Sequence, residues 1–88
     1  MEVTPPSNTR LTLIGPMNED DWEPDVAIVG VDTGVDVATV NVPAKQLPDR
    51  DVTRWSVVFS YQGTVYNGYI QETESLFDKR RLALILNA

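Results

Sequence analysis

Between Arg54 and Gln71 the chain alternates in character with a period of two. Trp55, Val57, Phe59 and Tyr61 are apolar or aromatic, and Ser56, Ser60 and Gln62 interrupt them, with Val58 as the exception. This is the pattern of a strand with one buried face. Gln62-Gly63 can turn the chain, after which Thr64 to Ile70 runs back. Five of the seven aromatic residues lie in this segment, so the core is expected to nucleate there. A competing turn at Asn67-Gly68 has the stronger type I′ chemistry, but it would set Glu72 and Glu74 beside the aromatic face. A carboxylate in a core costs several kcal/mol unless paired, so the turn is assigned to Gln62-Gly63. Gly68 is then read as a bulge or a crowded position.

Shorter apolar runs extend the same reading to the rest of the chain. Thr9 to Ile14 predicts a first strand, closed by Gly15-Pro16. Val26 to Val31 and Val35 to Val42 predict two more, joined through Asp32-Thr33-Gly34. Val35 and Val37 differ in parity from Val40 and Val42, which calls for a β-bulge near Ala38-Thr39. Between Pro43 and Pro48 there is room for one helical turn at Ala44–Leu47, and Ser75–Asp78 can cap another. Leu82 to Leu86 is apolar on both faces, as in a strand inside a sheet or between two layers. The fold predicted is all-β: a small six-stranded antiparallel sandwich or partly open barrel over 9–88, with an extended N-terminal arm over 1–8. Pro5 and Pro6 stiffen that arm, which is expected to be held by a neighbouring protein copy.

Composition narrows the chemistry. The 88 residues contain no cysteine and no histidine. Disulfides, thiol nucleophiles, imidazole bases and the usual zinc, iron or copper ligand sets are therefore excluded. No cofactor is expected. The longest apolar run is too short to span a bilayer, and the first residues lack the pattern of a signal peptide, so cytoplasmic synthesis without membrane attachment is expected. A net charge of −6 argues against direct nucleic-acid binding. The charge is also divided unevenly, at −7 over residues 1–44 and +1 over 45–88, a distribution that lets copies meet head to tail.

Three segments carry candidate chemistry. Glu19, Asp20, Asp21, Glu23 and Asp25 crowd one loop around Trp22. With Asp32 in the last position, Asp21, Glu23 and Asp25 approach the spacing of a calcium loop, yet Val26 stands where glycine is required. The same carboxylates could imitate nucleic-acid phosphate, as in small acidic inhibitors of DNA-binding enzymes. Trp22 either folds back onto the core or anchors a partner. The aromatic strand pair could form a base-stacking platform, but no basic groove accompanies it.

Asp32-Thr33-Gly34, preceded by Val29-Gly30-Val31 and followed by Val35-Asp36, resembles the active-site triplet of retroviral-type aspartic proteases. In that family two such aspartates meet across a dimer and activate water, which would make Asp32 catalytic. The chain departs from the family at Gly30, where an apolar side chain is wanted, and near its C-terminal residues, where no Gly-Arg-Asp or Gly-Arg-Asn occurs.

Weighed together, these features predict a non-enzymatic assembly module that attaches to other protein subunits, such as a capsid-decoration or tail-assembly component of a virion. Pro5, Pro6, Glu19, Asp20, Asp21, Trp22 and Tyr69 are the predicted partner contacts. Tyr69 is included because its parity opposes that of Tyr66, so a one-sided sheet cannot bury both.

Overall fold

The computed structural model of the chain describes residues 3–16, 21–32 and 36–87. These form seven strands: β1 (Arg10–Ile14), β2 (Asp21–Trp22), β3 (Ala27–Asp32), β4 (Val37–Pro43), β5 (Ser56–Tyr61), β6 (Thr64–Ser75) and β7 (Lys79–Asn87). All belong to one antiparallel sheet in the order β2-β1-β5-β6-β7-β4-β3, which does not close on itself. Six strands were expected, and the seventh is the two-residue β2, too short for any periodicity to announce. Two packed sheets do not form. One continuous sheet instead surrounds a single core, to which every strand except β2 contributes buried residues. Among the described residues no helix is long and apolar enough to cross a membrane.

The β5–β6 hairpin forms with the register chosen from burial. Tyr61 pairs with Thr64 and Phe59 with Tyr66. Gln62 and Gly63 both take positive φ, 50° and 81°, as a two-residue type I′ loop demands. Trp55, Val57, Phe59 and Ile70 are buried, and Tyr61 and Tyr66 pack against them. Phe59 and Tyr61 stack with ring centroids 5.9 Å apart. Gly68 is crowded: a Cβ there would collide with the Ile85 carbonyl oxygen on the neighbouring strand.

Two local expectations need correction. Ser75–Asp78 is no helical turn; it closes a second hairpin, with the Leu76 N–H donating to the Lys79 carbonyl at 2.8 Å. Residues 67–75 of β6 pair along β7, and Glu74 meets Arg81 both in register and as an ion pair at 3.2 Å. The bulge expected in β4 is absent, because Ala38 joins Val40 and Val42 on the core side and no parity change is needed. Register shifts fall instead in β3 between Ile28 and Gly30, and in β6 between Ile70 and Glu72. The predicted turn after Pro43 does form, as a 3₁₀ turn at Ala44–Gln46.

β7 lies inside the sheet between β6 and β4, as its two apolar faces predict. Leu82, Leu84 and Leu86 enter the core while Ala83 and Ile85 lie half-buried on the opposite face. Leu47 and Val52, from the β4–β5 connection, add to the same core and fix that connection against the sheet.

Candidate functional site

The N-terminal arm is held by its own chain. Val3 and Ile28 exchange both backbone hydrogen bonds, at 2.7 and 3.0 Å, on the outer edge of β3. Pro5 and Pro6 have no N–H to donate and do not extend that pairing. Pro5 is half-buried and Pro6 exposed, and the Pro6 carbonyl accepts from the Thr9 N–H at 2.9 Å, turning the chain into β1. The arm therefore runs from the β3 edge of the open sheet to β1, beside the β2 edge, and is anchored through one bridge.

The acidic segment is only partly within view. Glu19 and Asp20 lie outside the described residues. Asp21 is exposed in β2, directly opposite Ile14. Trp22 pairs with Leu13 and packs half-buried against the core, so it has folded back, with its Nε1 buried and without a hydrogen-bond partner among the described residues. Glu23 accepts from the Thr12 hydroxyl at 3.3 Å. Asp25 is tied to Gln46 in both directions: its N–H donates to Oε1 at 2.7 Å, and Nε2 donates to its carboxylate at 3.2 Å. Among the described residues no group of three carboxylates is placed to hold a metal ion. Asp32 ends β3 in register with Val37, while Thr33 and Gly34 lie outside the described residues.

Tyr69 falls on the face of the sheet turned away from the core. It sits in a transverse row through Ile14, Ser56, Tyr69, Ile85 and Val37, one residue from each of five successive strands. No second sheet covers this row among the described residues. Arg54 shields part of it, with its guanidinium 5.8 Å from the Tyr69 ring centroid. Arg54 holds φ at 77°, a left-handed conformation costly for a residue with a Cβ, and the Arg54 N–H donates to the Ile70 carbonyl at 2.8 Å. Val58 is half-buried and Val65 exposed on the same face. Trp55 and Phe59 are buried in the core, so they offer no stacking surface to a base.

Two further surfaces were not evident from the sequence. One is a cleft of about 640 Å³ between the β4–β5 connection and the β6–β7 hairpin, lined by Lys45, Arg50, Lys79 and Arg80. Those are four of the seven basic residues of an acidic chain. The walls are tied together: the Ala44 N–H donates to the Asp78 carbonyl at 3.1 Å, and Arg80 Nη1 donates to the carbonyls of Pro48 and Arg50 at 3.4 and 3.2 Å. Nearby, hydrogen bonds from Thr53 to the exposed Asp51 carboxylate hold its pKa below the ordinary 3.8. Beyond the cleft, at the hairpin tip, Phe77 is fully exposed, at 104% of its reference area.

The second surface is a mainly apolar cavity of about 330 Å³ beside Ile14, Gly15, Pro16 and Trp55. The residues lining each surface come from segments far apart in the chain, so neither surface had a sequence signal. No protein-family model, curated protein or solved structure matches the chain.

Proposed function

We propose that this chain is a non-enzymatic assembly module that joins other protein subunits by strand addition at the β3 edge, with its N-terminal arm as the strand that passes between subunits. The carrying observation is the Val3–Ile28 bridge. It consists of backbone hydrogen bonds alone, so the β3 edge of a neighbouring subunit offers the same partners to the same arm. Release of the arm breaks one bridge, and Pro5-Pro6 keeps the freed segment extended. A particle assembled from many like subunits, such as a phage or viral virion, is the setting this reading extends to.

Disulfide trapping tests the exchange, and the absence of native cysteine keeps it clean. Val3 and Ile28 face each other as a hydrogen-bonded antiparallel pair, within reach of a disulfide. The variant Val3→Cys with Ile28→Cys is expected to give covalent dimers and higher species on non-reducing gels after oxidation at high protein concentration. Exclusively intrachain disulfides across the concentration range would rule the exchange out.

A further inference from the structure

We propose that Asn67 is a site of spontaneous deamidation that the folded sheet holds closed, and that its isoaspartyl product cannot return to the fold. Asn67-Gly68 is the one Asn-Gly pair in the chain, the other four asparagines being followed by threonine, glutamate, valine and alanine. Deamidation begins when the following backbone nitrogen attacks the asparagine side-chain Cγ. That bond forms, ammonia leaves, and water then opens the succinimide at either carbonyl to give aspartate or isoaspartate. A side chain on the following residue obstructs the ring closure, and glycine has none. Asn67 is exposed, so burial of its amide does not prevent the reaction. Nor can the glycine be replaced without cost, because the Ile85 carbonyl oxygen fills the place of a Cβ at 68.

What closes the site is the backbone. The Ile70 N–H donates to the Trp55 carbonyl, and hydrogen-bonded pairs recur at every second position of an antiparallel ladder. Val57 and Gly68 form the next such pair, so the Gly68 N–H is directed within the sheet to the Val57 carbonyl. Cyclisation requires that nitrogen to shed its proton and Asn67 to rotate out of the extended conformation, and both steps need β6 to leave β5. The product is excluded for a second reason. Isoaspartate carries the chain through Cβ and lengthens the backbone by one atom, directly ahead of a residue already pressed against Ile85. The strand does bulge between Ile70 and Glu72, beyond the last residue paired with β5. At Asn67 and Gly68, however, it is in register with both β5 and β7 and has no slack to absorb an insertion. Aspartate, the other product, keeps the backbone path and adds one charge at an exposed position. The reaction involves neither the arm nor the β3 edge.

Peptide mass spectrometry of the unaltered chain tests this. The chain is held at mildly alkaline pH, folded in buffer or unfolded in guanidinium chloride, and deamidation at Asn67 is followed with time. The folded chain should react at least about 100-fold more slowly, since only the fraction opened at β6 is competent. Chain aged in denaturant is then returned to buffer and its products are separated. The aspartyl fraction should recover the thermal melt of the unmodified chain, and the isoaspartyl fraction should show no cooperative transition. Asn67→Asp, made directly, should melt within about 5 °C of the unmodified chain, which separates the added charge from the lengthened backbone. Protection below about 100-fold overturns the proposal, because the sheet would then not be what holds the site closed. So does an isoaspartyl fraction that regains the original melt, or an Asn67→Asp chain that fails to fold.

Discussion

Gly68 shows how one missing Cβ sets the distance between two strands. It faces Val57 on β5 and Leu86 on β7, and the Ile85 carbonyl oxygen occupies the space a side chain would need. The obstacle is backbone on a central strand, so it cannot swing aside as a flexible side chain would. Gly68→Ala is therefore expected to destabilise by about 2–3 kcal/mol, although alanine is ordinarily the better strand residue. Thermal unfolding followed by circular dichroism checks it, with Tm expected to fall by about 10 °C or more. An unchanged Tm would mean that β6 and β7 are not packed this closely. The sequence shows an Asn-Gly pair here and suggests a turn; only the cost of burying Glu72 and Glu74 tells against that reading. Trp22 carries a similar lesson at the other end of the sheet. Its surroundings in sequence are acidic, but its register partner is Leu13, and burial decides where the ring lies.

At the scale of elements, the β5–β6 hairpin was legible because pattern and turn chemistry agree. The alternation set the buried face, and Gly63 supplied one of the two positive φ angles. Gln62 supplies the other at some expense, since left-handed backbone costs a residue with a Cβ roughly 1 kcal/mol. Gln62→Asn should recover about half of that or more, raising Tm by about 2–6 °C without changing the fold. A lower Tm for this variant would show that the turn is not type I′. The β6–β7 hairpin was not legible, for a physical reason. Past Ile70 the strand bulges and its residues become polar, because Glu74 and Arg81 face outward and stabilise each other across the pair. A search for opposite charges spaced symmetrically about Leu76–Lys79 would have found it. The two-residue β2 had no such signal, since it owes its pairing to the position of β1.

For the whole molecule, the decisive pairings are distant in sequence. Leu11 meets Phe59, and Val42 meets Arg80. Such contacts close long loops before they yield any stabilisation, so folding should be slow for the chain's size, in the range of milliseconds to seconds. Stopped-flow refolding monitored by tryptophan fluorescence measures this directly. A microsecond phase accounting for the full amplitude would show that the native contacts are more local than the sheet order implies. Among the candidate contacts, Pro5, Pro6, Asp21 and Tyr69 are at least partly accessible on the molecule, whereas Trp22 has its ring against the core. The exposure of Phe77 at the hairpin tip could not be read from the chain alone.

The position of β7 has a consequence for folding. It follows the other six strands in the sequence, yet it lies between β6 and β4. A folding chain in which β7 has not yet paired thus holds two separate pieces, β2-β1-β5-β6 and β4-β3, each with a raw edge where β7 belongs. Unpaired edges of this kind invite pairing with other chains. The interval before β7 docks between them is when this chain is most exposed to misassembly, and a substitution that weakens the docking of β7 would lengthen it.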